Sequence, residues 1–242
     1  MEKETGKNGA LTTIAKGAVD GSGAFLGRIC LPAAEEFGLL LKDKVSAWRA
    51  NNAINIVKKA EEKLNQVDRN KNLHAHPRLV TMAFETGSYS DSEQVQEMWA
   101  GLLASSCDKD GKDESNLLFM TILSQINTTE AIILNYLCET ANKTVSKSGF
   151  IWADDMKITP EKITEITGIT DIHRMDRELD HLSALDLTTG GFNDKDEIAT
   201  IAPRALGLNM FVNCQGSKKS PLEYFDVNYE KNPYQPGVIR LK

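Results

Sequence analysis

The sequence predicts a mainly α-helical protein: an N-terminal helical bundle followed by a winged-helix-like module, meaning a helix-turn-helix closed by a small β-hairpin. Three observations carry this. Apolar residues recur at three- and four-residue steps through most of residues 24–126, the period of helices with one buried face. Further on, two helical patterns are separated only by the stretch Gly168 to Asp171, as a helix-turn-helix requires. The second of them is followed by Leu187-Thr188-Thr189, then Gly190-Gly191, then Ile198 to Ile201, which reads as strand, glycine turn and strand.

Residues 1–23 form a flexible, glycine-rich terminus. Gly6, Gly9, Gly17, Gly21, Gly23 and Gly27 all precede Arg28, and glycine inside a helix costs roughly 0.5–1 kcal/mol relative to alanine. From Phe25 the helical period firms up: Phe25, Ile29, Ala33, Phe37, Leu40, Leu41, Val45 and Trp48 mark one face, and Pro32 kinks this helix or starts its second half. The apolar face, with Phe25, Ile29, Phe37, Leu41 and Trp48 at its centre, is a candidate membrane or partner surface. The polar face mixes both signs, which suits packing in a bundle better than an anionic membrane.

The rest of the bundle follows in order. Ile54, Val57, Ala60, Leu64 and Val67 stripe one helix, and Pro77 opens a short one through Phe84. Gly87 to Ser90 is a loop, and Ser92 caps the helix that carries Val95, Met98, Trp99, Leu102 and Leu103. A polar turn from Asp108 to Glu114 leads to the helix Leu117 to Ile126. That turn is no calcium loop, because its glycine is fourth rather than sixth. His74 and His76 lack a second Cys/His pair, so neither a metal site nor a cofactor is expected.

The second module spans 127–216. Thr128 or Thr129 caps its first helix, and a long polar connection follows. Thr159 and Pro160 start the second helix, Gly168 ends it, and Thr170 or Asp171 caps the third, Asp171 to Leu185. Ile172, Met175, Leu179, Leu182 and Leu185 form the apolar stripe of that third helix. Residues 217–242 hold Pro221, Pro233, Pro236, Tyr224, Tyr229 and Tyr234 and lack helical period. They read as an extended tail, with Leu222, Tyr224, Phe225, Val238, Ile239 and Leu241 available for docking.

Several strings also resemble a known family. Glu97-Met98-Trp99-Ala100 with Leu102-Leu103-Ala104 is the first, and Leu123-Ser124-x-x-Asn127 before Thr129-Glu130-Ala131 is the second. The third is Leu206-Gly207-x-x-Met210-Phe211-x-x-Cys214. With the string running from Gly27 to Leu64, they are similar to the bacterial Abi-alpha (abortive infection) family over about residues 17–214. The resemblance implies a helical protein linked to phage defence and supplies no catalytic residues. Two positions depart from the pattern: Thr128-Thr129-Glu130 at a helix start, and Ala202-Pro203 before the closing helix.

Charge and composition narrow the function. The net charge of −6 offers no general attraction for nucleic acid or anionic lipid. Cys30, Cys107, Cys138 and Cys214 are unpaired in spacing and read as reduced thiols of a soluble, cytoplasmic protein. No apolar run reaches the ~18 residues that a membrane span needs. A Walker loop, GxSxG and HExxH are all missing, so no enzyme is expected.

On the third helix His173, Arg174, Arg177, Asp180 and His181 are read as outward. Four of these, His173, Arg174, Arg177 and His181, are the candidate contacts to a partner or to DNA. The helix also carries Asp171, Asp176, Glu178 and Asp180, and the wing Asn193-Asp194-Lys195-Asp196-Glu197 is acidic, which opposes phosphate binding. His173 and His181 have no acid–base partner visible in sequence.

The sequence therefore favours a non-enzymatic phage-defence protein that binds a protein partner or its own copy. Behind it stand a DNA-binding winged-helix regulator and, third, a membrane-active effector working through residues 10–48.

Overall fold

A computed structural model describes residues 21–32, 34, 35, 38, 47–67, 73–146, 149–193 and 197–227. They divide into two compact units, residues 1–124 with 214–216 and residues 125–213 with 217–242. Helices predominate, with small antiparallel sheets in the second unit.

In the first unit a helical segment at residues 21–29 precedes α1 (Ala47–Val67), α2 (Pro77–Glu85), α3 (Glu93–Ser105) and α4 (Leu117–Leu123). α1 packs along α3. Of the predicted stripe of α1, Ile54, Val57, Ala60 and Leu64 are buried, and Ala53 and Ile56, which were not in it, are fully enclosed beside them. From α3, Met98, Trp99, Leu102 and Leu103 fill the same core. Between α2 and α3 the expected loop is a single 3₁₀ turn, Gly87–Tyr89. A Cβ at Gly87 would stand 3.0 Å from both Ile56 and Trp99, so glycine lets this turn close onto the indole. Polar groups buried by that closure are paired: Asn52 donates to Ser88 O at 3.1 Å, and Gln96 donates to Asn52 Oδ1 and Ser90 O.

The second unit runs α5 (Thr128–Thr140), β1 (Lys143–Val145), β2 (Ile151–Ala153), β3 (Met156–Ile158), α6 (Pro160–Thr167), α7 (Ile172–Ala184), β4 (Thr188–Phe192), β5 (Ala199–Pro203), α8 (Ala205–Cys214) and α9 (Pro221–Tyr224). β1 and β2 form a separate hairpin, and the other strands form an antiparallel sheet in the order β3-β5-β4. Thr159 caps α6 with Pro160 in its first turn. Gly168 ends it at φ +75°, and Asp171 caps α7 by accepting from His173 N and Arg174 N. Met175, Leu179 and Leu182 are the buried stripe of α7, which lies against α5 and β4.

Several expectations are corrected. Asn127, not Thr128 or Thr129, caps α5, in a capping box with Glu130. The polar connection after α5 holds three short strands, each with one buried anchor: Val145, Ile151 and Ile158. Gly190 and Gly191 lie inside β4 rather than in its turn. Gly190 has φ +79°, and a Cβ there would sit 1.9 Å from the Thr200 carbonyl oxygen, so it serves close strand approach. Ile172, expected in the buried stripe of α7, is 40% exposed because it sits in the first turn, ahead of the packed part of the helix.

Trp48 does not continue the helix of Phe25 and Ile29; it lies in the first turn of α1 and is 47% exposed. Phe25 and Ile29 are buried in the core of the first unit, while Phe37 and Leu41 lie outside the described residues. The tail, expected to be extended, contains a capped helical turn, α9, started by a capping box between Ser220 and Glu223. Its residues Val238, Ile239 and Leu241 also lie outside the described residues. Among the described residues no helix is long and apolar enough to cross a membrane.

Candidate functional site

α5 and α7 bring together a cluster of charged side chains whose pairing across the two helices no short motif announces. Its base is the N-terminus of α5. Asn127 N donates to Glu130 Oε2 at 2.7 Å, and Glu130 N donates to Asn127 Oδ1 at 3.1 Å. This reciprocal cap turns both side chains toward α7. There, Asn127 Nδ2 donates to Glu178 Oε2 at 2.5 Å, and His181 Nδ1 lies 2.5 Å from Glu130 Oε1.

The predicted arginines close the cluster from outside. Arg177 donates to Glu178 Oε1 at 3.0 Å and Arg174 at 3.4 Å, and Arg174 also reaches Thr129 Oγ1 at 3.5 Å. Arg174, Arg177, Glu178 and His181 fall at helical steps of three and four and so share one face of α7.

Burial grades the cluster from the inside out. Glu130 and Glu178 are 1% and 3% exposed, whereas the side chains of Arg174 and Arg177 are 48% and 71% exposed. Burial is the largest influence on Glu130 and pushes its carboxyl up, and the Glu178 charge adds to this. Donation from Asn127 N and the contact with His181 only partly offset that push. Burial also pushes Glu178 up, but donations from Asn127, Arg177, Glu130 and Arg174 outweigh it and hold this carboxyl below its ordinary value. The two carboxyls are thus shifted in opposite directions: Glu178 gives up its proton more readily than an ordinary glutamate, and Glu130 less readily.

Of the four residues singled out on α7, His173 stands exposed and outside the cluster. Arg174 and Arg177 are outward, as expected, but both are held by Glu178. His181 has a buried acid partner in Glu130, one that is not visible in the sequence. Glu178 was counted with the surface acids and is instead at the centre. Asn127-x-x-Glu130 is a capping-box signature, and Arg174 with Glu178 is an i,i+4 pair, so both were readable in principle. The pairing of residues 127 and 130 with residues 178 and 181 needs the tertiary packing.

Neighbouring chemistry is spare. At the end of β4, Asn193 donates to Ile198 O at 3.1 Å, and Glu197 adopts φ +55°; Asp194, Lys195 and Asp196 of the wing lie outside the described residues. Cys138, fully enclosed in α5, has its thiol pushed far up by burial, which suits a core side chain rather than a nucleophile. All four cysteines are buried free thiols. Among the described residues no three His, Cys, Asp or Glu side chains gather to hold a metal ion.

The opposite directions of the two glutamates give a direct test. A group raised by folding loses stability as pH rises through its folded value, so the neutral isostere is favoured at neutral pH. Glu130→Gln is expected to match the wild type near pH 4 and to exceed its unfolding free energy at pH 7 by up to about 1 kcal/mol. Urea unfolding at the two pH values reads this difference.

A family model described as abortive infection alpha matches residues 49–201. No curated protein and no solved structure matches the chain.

Proposed function

The chain belongs to the abortive infection alpha family, and from that premise we propose that it is a bacterial phage-defence protein acting by protein–protein binding rather than catalysis. Its second unit serves as a winged-helix-like module. Support for the module comes from the element order α5, β3, α6, α7, β4, β5 and from the strand order β3-β5-β4, in which the last strand lies between the other two.

One observation carries the preference for protein over DNA. The two arginines on the outer face of α7 both donate to Glu178, whose negative charge the fold maintains. Two guanidiniums that share one carboxylate present a single net positive charge and so release less counterion on approaching phosphate than two free arginines. The net charge of −6 works in the same direction.

The intact chain is therefore expected to protect cells in a phage-plating assay while showing no retention on duplex DNA at ~0.15 M salt. The variant Arg174→Gln/Arg177→Gln, checked for folding by circular dichroism, should behave the same on DNA. Duplex binding that survives this salt and disappears in the variant together with protection would replace the protein-binding reading with a DNA-binding one.

A further inference from the structure

The strongest unexplained feature involves none of the cluster's residues and lies just past the C-terminal end of α7. There the turn into β4, the end of β5, the start of α8 and the β1–β2 hairpin enclose a cleft of about 340 Å³. That volume is within the ordinary range for a binding site. Trp152 forms one wall and is 57% exposed, unusual for the largest side chain on a three-residue strand. Asp155, Asp186 and Arg204 supply the charges, and Ala202, Pro203 and Leu206 contribute apolar surface.

The charges select the sign of a ligand. Arg204 is ion-paired with Asp186 at 2.7 Å, so its guanidinium is already matched. Asp155 is left as the remaining carboxylate, facing the same space as an indole. An anion entering here would meet two carboxylates and one occupied cation. A cation would meet Asp155 and an aromatic wall, the combination that binds guanidinium and ammonium groups. The apolar surface suits the methylene stem behind such a head group.

The hairpin extends this site in one direction. Ser146 N donates to Phe150 O at 2.8 Å, so the ladder of β1 and β2 runs on through Phe150. Phe150 is 66% exposed and stands two residues before Trp152, which places both rings on one face of the hairpin. An extended peptide shares that period. A cationic residue seated at Trp152 brings the residue two positions away over Phe150.

We propose that this cleft is a docking site for a lysine or arginine side chain in an extended segment of a partner protein, with an apolar residue two positions away resting on Phe150. The inference rests on the protein-binding reading above and gives its partner a chemistry.

The test uses the full chain and the acetylated, amidated pentapeptide Ala-Val-Thr-Arg-Ala, with norleucine replacing arginine as the control. The chain has three tryptophans, so their indole N–H signals can be followed separately by NMR, and Trp152→Phe identifies the relevant one. The Trp152 signal is expected to move saturably with the arginine peptide. Binding should weaken about tenfold or more with norleucine and in Asp155→Asn.

Equal responses to both peptides, or an unchanged response in Asp155→Asn, would overturn the site. So would silence in both the full chain and a chain ending at residue 227. A response that appears only after residues 228–242 are removed would also overturn it, by making the protein's own tail the occupant. Peptide binding that holds while duplex DNA is also bound leaves the cleft standing and removes the wider reading alone.

Discussion

Glu178→Ala is expected to lower the unfolding free energy of the second unit by about 1–3 kcal/mol at pH 7, the usual range for losing hydrogen bonds to a charged group. Three donors converge on this carboxylate: the Asn127 amide and the guanidinium groups of Arg174 and Arg177. The arginines regain water when it is lost, their side chains being 48% and 71% exposed, and Asn127 is itself an exposed residue, so the loss is that of charge-assisted bonds rather than of a stranded donor. Glu178→Gln should cost about half as much, since it keeps the shape and an acceptor while losing the charge assistance.

The pH dependence identifies the cause. A carboxyl held below its ordinary value contributes stability above about pH 4 and loses that contribution as pH falls through its folded value. The gap between wild type and Glu178→Gln should therefore shrink sharply between pH 5 and pH 3 in urea unfolding followed by circular dichroism. A gap of constant size across that interval would mean that Glu178 acts through packing alone.

In the first unit the largest loss is expected from Trp99→Ala, about 3–5 kcal/mol. Trp99 is 2% exposed, lies on the α3 face that meets α1, and has the 3₁₀ turn at Gly87 seated on its ring. Removing the indole uncovers Ile56 and opens a cavity that the turn cannot fill, because Gly87 has no side chain to offer. Trp99→Phe should recover about half of the loss. Thermal denaturation of the two variants gives the order, and equal melting temperatures for alanine and phenylalanine would rule out a volume effect.

How much of this was legible in the sequence follows the range of the interactions. Met175, Leu179 and Leu182 announce a buried helical face by their spacing alone, and Thr159-Pro160 with Gly168 mark both ends of α6. Local chemistry of this kind repeats within a turn of chain and is visible in one dimension. Gly190 shows the limit. Two adjacent glycines signal a turn, yet the structure uses the first to bring β4 close to Thr200, a requirement set by another strand. The candidate site divides in the same way. Arg174 and Arg177 were found from helical geometry, but Glu178 looked like one more surface acid on a helix rich in them. Only the arrival of Asn127 and Glu130 from α5 makes it the buried centre, and nothing near Glu178 in sequence encodes that arrival. The exposed Trp152 was missed because the polar stretch after α5 gives too little period to reveal a hairpin.

The placement of β5 between β3 and β4 has a consequence for how the protein is made. β3 pairs with β5, Ile158 opposite Ala199, so the strand emerging first finds this neighbour roughly forty residues later. At translation rates of about 5–20 residues per second that interval lasts seconds, while α6 and α7 form in about microseconds. Through that interval the nascent unit has finished helices and an unpaired strand edge, the state most open to proteases and to self-association. A message cut short before Pro203 would yield a chain that never leaves it.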